Sequence, residues 1–247
     1  MCTLTWIKND SSYEVFFNRD ELLTRQEELP PLEHQLGSVR FLAPTDPQGG
    51  GTWIGVNDYG VTLCLANLYP SNRVEGVQYN SRGQLLWSLL SSQNLKELVF
   101  QIKDKNLKDY LGFRMAGFSL KENVHLIEYD GNNLKINIKA NDCYPVTSSS
   151  FQSLDVQNAR IKYFEDSIGR TKQLTSEILE DYQNSQYPAL SPYSVCMKRD
   201  NACTKSYSRI RVDEKNISFI YQPYPWKKPK PSLSKTTLVL QTSGTHD

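Results

Sequence analysis

The chain begins Met1-Cys2-Thr3. Cysteine at position 2 is small enough for a methionine aminopeptidase to remove Met1, and the chain would then start with a residue carrying both a thiol and a free α-amine. An α-amine titrates near pKa ~7.7–8, so near neutral pH it can accept the proton of its own thiol. Nucleophile and general base then sit on one residue, and no histidine is needed. The three histidines, His34, His125 and His246, are scattered along the chain. They argue against a Ser-His-Asp triad or a histidine-rich metal site, and the α-amine is the base the sequence offers.

A hairpin positions this residue. Residues 3–7 and 13–17 read as strands, and Lys8-Asn9-Asp10-Ser11-Ser12 between them has the composition of a turn. A turn centred between Asp10 and Ser11 sets Leu4 opposite Phe17 and Trp6 opposite Val15, so apolar side chains share one face. The same register sets Cys2 opposite Arg19, with Asn18 and Asp20 beside it. The charged run Asn18-Arg19-Asp20-Glu21 is thereby expected next to the thiol.

The other elements alternate in type. Gly49-Gly50-Gly51-Thr52-Trp53-Ile54-Gly55 leads into a strand and lacks the Gly-Lys-Ser/Thr of a phosphate loop, so close backbone packing is expected there. Residues 61–66 read as a strand ending at Asn67. Residues 85–103 carry a helical apolar face with a break near Ser91-Ser92. Residues 114–120, 124–129 and 134–138 read as a meander. Ile161, Phe164, Ile168, Thr171, Leu174, Ile178 and Tyr182 recur at helical spacing, which predicts one or two helices over 158–184. Residues 194–198, 205–212 and 217–221 close with strands. The order is α+β without a parallel βαβ repeat. Residues 1–222 read as one domain, and 223–247 as a proline-rich, basic strap or tail with a small edge strand at 236–240 and a frayed end.

Composition narrows the function classes. A formal net charge of +1 on 247 residues gives no pull toward nucleic acid or an acidic membrane. The five cysteines are odd in number and irregular in spacing, a poor disulfide framework, and the interval from Cys196 to Cys203 does not match common zinc pairs. No apolar run suggests a signal peptide or a membrane span. A cytoplasmic, reducing setting, a small-molecule partner and no cofactor are the expectations.

Cys2, the Asn18-Arg19-Asp20-Glu21 run, Gly50-Gly51-Thr52-Trp53-Ile54-Gly55, Asn67 at a strand end and Ser81-Arg82-Gly83 before a helix recur in this order in the NRDE family. The chain resembles that family, which takes its name from the Asn-Arg-Asp-Glu motif and whose animal members are the transport and Golgi organisation proteins. The likeness is strong over about the first 100 residues and weak in the tail. It implies an N-terminal-nucleophile hydrolase-like αββα sandwich, two antiparallel sheets between helical layers. The enzymatic analogues are choloylglycine hydrolases and penicillin V acylases, which also begin Met-Cys and attack a linear amide with the processed cysteine. By that analogy Cys2 is the nucleophile, Arg19 and Asp20 support it, and Asn67 is an oxyanion donor.

The chain departs from the acylases in places. Their arginine and aspartate are two residues apart, whereas Arg19 and Asp20 are adjacent. Adjacent strand residues point to opposite faces, so both serve one site only if the strand ends or bulges there. Their late asparagine has no clear match, although Ser148-Ser149-Ser150 lies near its place, and either Arg199 or Arg209 stands for a late arginine.

The residues also have plainer readings. Arg19 suits an ion pair with Glu21 or Asp10, Asp20 a turn or cap role, and Asn67 ordinary turn chemistry before Tyr69-Pro70. Ser81 suits an N-cap. Asn18 and Arg82 are the candidate substrate-binding residues. Trp53, Trp87 and Tyr69 read as core, and Cys64 as buried and inert. The leading expectation is an amidohydrolase forming a thioester from a small acyl amide. The alternatives are a non-enzymatic carrier of a lipid, acyl-CoA or haem-like ligand, and a scaffold acting through its basic tail.

Overall fold

The computed structural model describes residues 2–70, 74–139, 144–168 and 174–241. Met1, Cys143, Thr171, His246 and the stretch 243–247 lie outside the described residues. The hairpin comes first, β1 (Cys2–Lys8) and β2 (Ser12–Leu22), followed by β3 (Leu29–Leu36), β4 (Val39–Thr45), β5 (Ile54–Asn57) and β6 (Thr62–Asn67). Two helices, α1 (Arg82–Leu89) and α2 (Leu95–Lys103), precede β7 (Phe113–Phe118), β8 (Val124–Tyr129), β9 (Leu134–Lys139) and β10 (Val146–Ser148). Then come α3 (Ser153–Ile168), α4 (Ser176–Asn184), β11 (Lys198–Arg199), β12 (Ala202–Asp213), β13 (Asn216–Pro223) and β14 (Ser234–Val239).

The strands form two antiparallel sheets. One runs β10-β1-β2-β12-β13-β14 with β11 on β12, and the other runs β3 to β9 in chain order. Strand alternation explains the layers. In β1 and β2, Leu4, Trp6, Val15 and Phe17 face Ile54, Val56, Cys64 and Ala66 of the second sheet. The neighbouring residue Phe16 points the other way and packs on Phe164, Leu179 and Tyr182 of α3 and α4. In the second sheet Leu63 and Leu65 turn outward onto Leu85, Leu89 and Leu98 of α1 and α2. The result is the αββα sandwich, α+β in class.

The hairpin register is the one the turn composition dictates: Cys2 pairs with Arg19, Leu4 with Phe17 and Trp6 with Val15. Asn9 closes the turn by accepting the backbone N–H groups of Ser11 and Ser12. The break at Ser91-Ser92 is real, and Asn57 fills it by donating to the carbonyls of Leu90 and Ser92 at 2.9 and 2.7 Å. Among the described residues no helix is long and apolar enough to cross a membrane.

Several elements differ from expectation. Residues 194–197 are not a strand; only Lys198–Arg199 pairs, at the end of β12. The second hairpin strand continues past Phe17 to Leu22, because Asn18–Leu22 pair with β12 as well. Strands β3 and β4 escape the apolar pattern. Pro30-Pro31 and a bulge between Leu29 and Leu32 mark β3 as a polar edge strand. The C-terminal segment lies on the first sheet: Tyr224 N–H donates to the Lys205 carbonyl at 2.6 Å, Trp226 Nε1 to the Thr204 carbonyl at 3.0 Å, and β14 pairs with β13.

Gly51 packs its backbone on the start of α1, and a Cβ there would collide with the backbone of Gly83 and Gln84. The Thr52 N–H also donates to the Gly83 carbonyl at 3.2 Å. This contact fixes α1 against the sheet and accounts for the glycine run. Gly51→Ala is expected to destabilise by about 1–3 kcal/mol, with a melting midpoint lowered by roughly 2–4 °C for each kcal/mol. Calorimetry on the two proteins checks this; an unchanged midpoint would show that α1 shifts at no cost.

Candidate active site

Cys2 lies in a central strand, between β2 and β10. Its direct partners are Arg19 on one side and Ser148 on the other. Directly opposite side chains share a face at roughly 4.5–5.5 Å between Cβ atoms. The thiol is therefore flanked by a guanidinium and a hydroxyl on the inner side of the sheet. The hydroxyl of Ser148 is buried without a hydrogen-bond partner. Cys2, Arg19, Trp53, Asn67 and Arg82 line one cavity of about 340 Å³, to which Arg25, Asp46, Tyr79 and Leu111 also contribute.

Arg19 is held from three directions. Its guanidinium lies 4.3 Å from the centre of the Trp53 ring, its Nη1 is 2.5 Å from Glu28, and its Nη2 is 3.5 Å from Glu21. Glu28 also accepts the Tyr221 hydroxyl at 3.0 Å. The ion pair with Glu21 thus exists but is the weaker one, and Glu28 is the main partner. Trp53 is buried as expected and is also a wall of the cavity.

Arg19 and Asp20 take opposite faces of β2, as strand alternation requires, and only the neighbouring strand is irregular here. β12 bulges at Lys205, so that Thr204 pairs with Asp20 and Ser206 with Arg19. Bulges re-aim side chains beside active sites. The two side chains diverge: Arg19 stays in the cavity while the Asp20 carboxylate faces α3. One oxygen accepts the Thr204 hydroxyl at 2.7 Å and the other Arg160 Nη1 at 3.1 Å. Asp20 is neither a turn nor a helix cap, and its carboxylate is not free to swing around the strand. It reaches the thiol by its backbone N–H, which hydrogen-bonds the Cys2 sulfur.

Burial pushes the Cys2 thiol above its ordinary value. The Asp20 carboxylate adds to this, while Arg19 and the Asp20 N–H pull the other way. Arg19 and that N–H therefore offset only part of the rise. Burial also raises Cys64, Cys203 and Cys196, the last to about 12. Cys2 is the one cysteine among the described residues that lines this cavity.

Asn67 ends β6 and donates to the Tyr69 hydroxyl at 3.1 Å, which leaves its second amide hydrogen unassigned. Tyr69 is thus attached to the site, although it also packs on Met197 and Ala202. Arg82 enters the cavity from the first turn of α1, with Ser81 as N-cap. Asn18 is corrected: it is buried on the opposite face, where its amide donates to the carbonyls of Gln183 and Val195 at 2.6 and 3.2 Å. Strand alternation turns it away from the face that Arg19 occupies. Trp87 packs on Phe41 and His34 outside the site. Arg209 binds Glu14 and Glu180, and Arg199 lies over the Phe151 ring, so neither lines the cavity. His34 and His125 contact the carbonyls of Ala43 and Asn123, away from the thiol.

The sequence reading missed Arg160, Arg25, Glu28 and Asp46. Arg160 had a signal: it occupies the buried stripe of α3 between Val156 and Phe164, where an apolar residue belongs. It is 1 % exposed against an Asp20 side chain at 0 %, so removing it strands a buried carboxylate. Arg160→Met is expected to cost about 3–5 kcal/mol, and adding Asp20→Asn should recover part of that. Urea unfolding of the single and double variants measures it; additive losses would mean the pair is not coupled.

Solved structures similar in fold include three with N-terminal-nucleophile hydrolase architecture. A Caenorhabditis elegans N-acylethanolamine-hydrolyzing acid amidase ortholog aligns with TM-score 0.59 and 12 % identity, over 84 % of this chain and 92 % of that one. Penicillin V acylase from Agrobacterium tumefaciens gives 0.52 and 12 %, over 96 % and 86 %. A mutant conjugated bile acid hydrolase from Clostridium perfringens gives 0.53 and 11 %, over 98 % and 97 %. At these identities the likeness is one of fold. No curated protein matches the sequence. The family model described as Transport and Golgi organisation 2 matches residues 1–228, and the chain belongs to that family.

Proposed function

We propose that the protein is an N-terminal-nucleophile amidohydrolase that cleaves a small acyl amide through a thioester on Cys2. The carrying observation is the placement of the Cys2 thiol between Arg19 and Ser148 on the wall of a cavity that Asn67 and Arg82 share. The named activities of the fold neighbours, an acylase, a bile acid hydrolase and an acid amidase, are in keeping with this reading. The lining also favours it over carriage of a greasy ligand, since guanidinium and carboxylate groups border the thiol.

In the proposed reaction Met1 has been removed. The thiol proton passes to the α-amine of Cys2 as the sulfur attacks the carbonyl carbon, forming the C–S bond. Asn67 donates its free amide hydrogen to the oxyanion. The ammonium returns the proton to the departing nitrogen as the C–N bond breaks, leaving the thioester. Water, deprotonated by the same amine, then attacks the thioester carbon and releases the acid and the thiol. Arg19 and the backbone N–H of Asp20 stabilise the transient thiolate. Asp20 takes its supporting role through that N–H and through its anchor to Arg160.

The amine is thus as necessary as the sulfur. Intact mass should show a chain lacking Met1. An uncleaved N-terminal tag turns the amine into an amide that accepts no proton, and a general base contributes about 10²–10⁴-fold. The tagged protein should lose activity by that factor at equal circular dichroism, and Cys2→Ser should lose most of its turnover too. Release of amine from a panel of N-acyl amino acids is the assay. Equal rates in the processed, tagged and Cys2→Ser proteins would remove this mechanism.

A further inference from the structure

The cavity holds three guanidinium groups, from Arg19, Arg25 and Arg82. Two are neutralised within the protein. Arg19 pairs with Glu28 and Glu21, and Arg25 pairs with Asp46 through Nη2 at 2.5 Å and Nε at 3.2 Å. Arg82 has no carboxylate at ion-pair distance among the described residues. Its Nη1 donates to the Gly112 carbonyl at 2.8 Å, and its Nε and Nη2 make no hydrogen bond there. The nearby acidic groups are committed elsewhere. Glu21 accepts the Leu22 N–H at 2.9 Å and lies 3.5 Å from Arg19, and both oxygens of Asp20 are taken by Thr204 and Arg160.

A half-buried cation without a counter-charge is costly. The pair Nε and Nη2 forms the side-on edge of a guanidinium, whose two parallel N–H groups match a carboxylate. The anchoring of Nη1 on Gly112 fixes the plane of the group and leaves that edge open. Arg82, Asn67 and Cys2 line the same cavity, so the open edge and the amide of Asn67 share one space with the thiol.

We propose that the substrate carries a carboxylate that pairs side-on with Arg82, close to the scissile amide, as in an N-acyl amino acid. This rests on the reading of Cys2 as nucleophile and adds the substrate class to it.

A matched pair of alkylating reagents tests it without knowledge of the natural substrate. Iodoacetate and iodoacetamide differ in a carboxylate against a carboxamide. In both cases the sulfur of Cys2 displaces iodide, forming a C–S bond as the C–I bond breaks. The ratio of iodoacetate to iodoacetamide rates at Cys2, mapped by mass spectrometry and divided by the same ratio for free cysteine, should reach about tenfold. Arg82→Gln should bring it to about one, and Arg82→Lys should restore part of it. A wild-type ratio near one, or a high ratio that survives Arg82→Gln, overturns the proposal while leaving the nucleophile in place. Failure of both reagents to label Cys2 removes the nucleophile reading and this proposal with it.

Discussion

The site depends on the buried pair between Asp20 and Arg160. One guanidinium ties five elements together: Arg160 of α3 reaches Asp20 of β2, Thr3 of β1 and Thr147 of β10 through Nη1, and Asp20 in turn holds Thr204 of β12. Nη2 adds the Pro192 carbonyl. Those strands carry Cys2, Arg19 and Ser148 on their other face. A buried ion pair contributes little net stability against an apolar replacement, yet breaking it is expensive because a charge is left unpaired. Its use here is positional: it clamps the outer face of the sheet at the level where the inner face presents the thiol.

Burial and reactivity oppose each other at Cys2. The residue is 6 % exposed, and that burial, more than any neighbour, raises its thiol. The positive charges near it, the N-terminus first and then Arg19, offset this only in part. The protein's answer, on the proposed mechanism, is a base carried on the nucleophile itself, which needs no second side chain to enter the crowded floor of the cavity.

What was legible in the sequence was local. The Cys2–Arg19 register follows from a short turn and alternating apolar residues, with no information from elsewhere in the chain. The helix break at Ser91-Ser92 and the close packing at Gly51 were legible for the same reason. β3 was not, because an edge strand with Leu29 and Leu32 about half exposed need not alternate. β10 was not, because three residues carry no periodicity. Arg160, Glu28 and Asp46 join the site through tertiary contacts, and the misplacement of Asn18 came from treating a four-residue motif as one surface when a strand divides it between two.

The central place of β1 in its sheet has a consequence for biosynthesis. Cys2 precedes its partners by most of the chain: Ser148, Arg160 and Thr204, which frame it, are made in the second half. Contacts of such long sequence separation form late, so the first strand waits unpaired on one side while translation continues. The wall of the cavity around Cys2 is therefore completed only when the second half of the chain has joined the first, however early β1 and β2 pair.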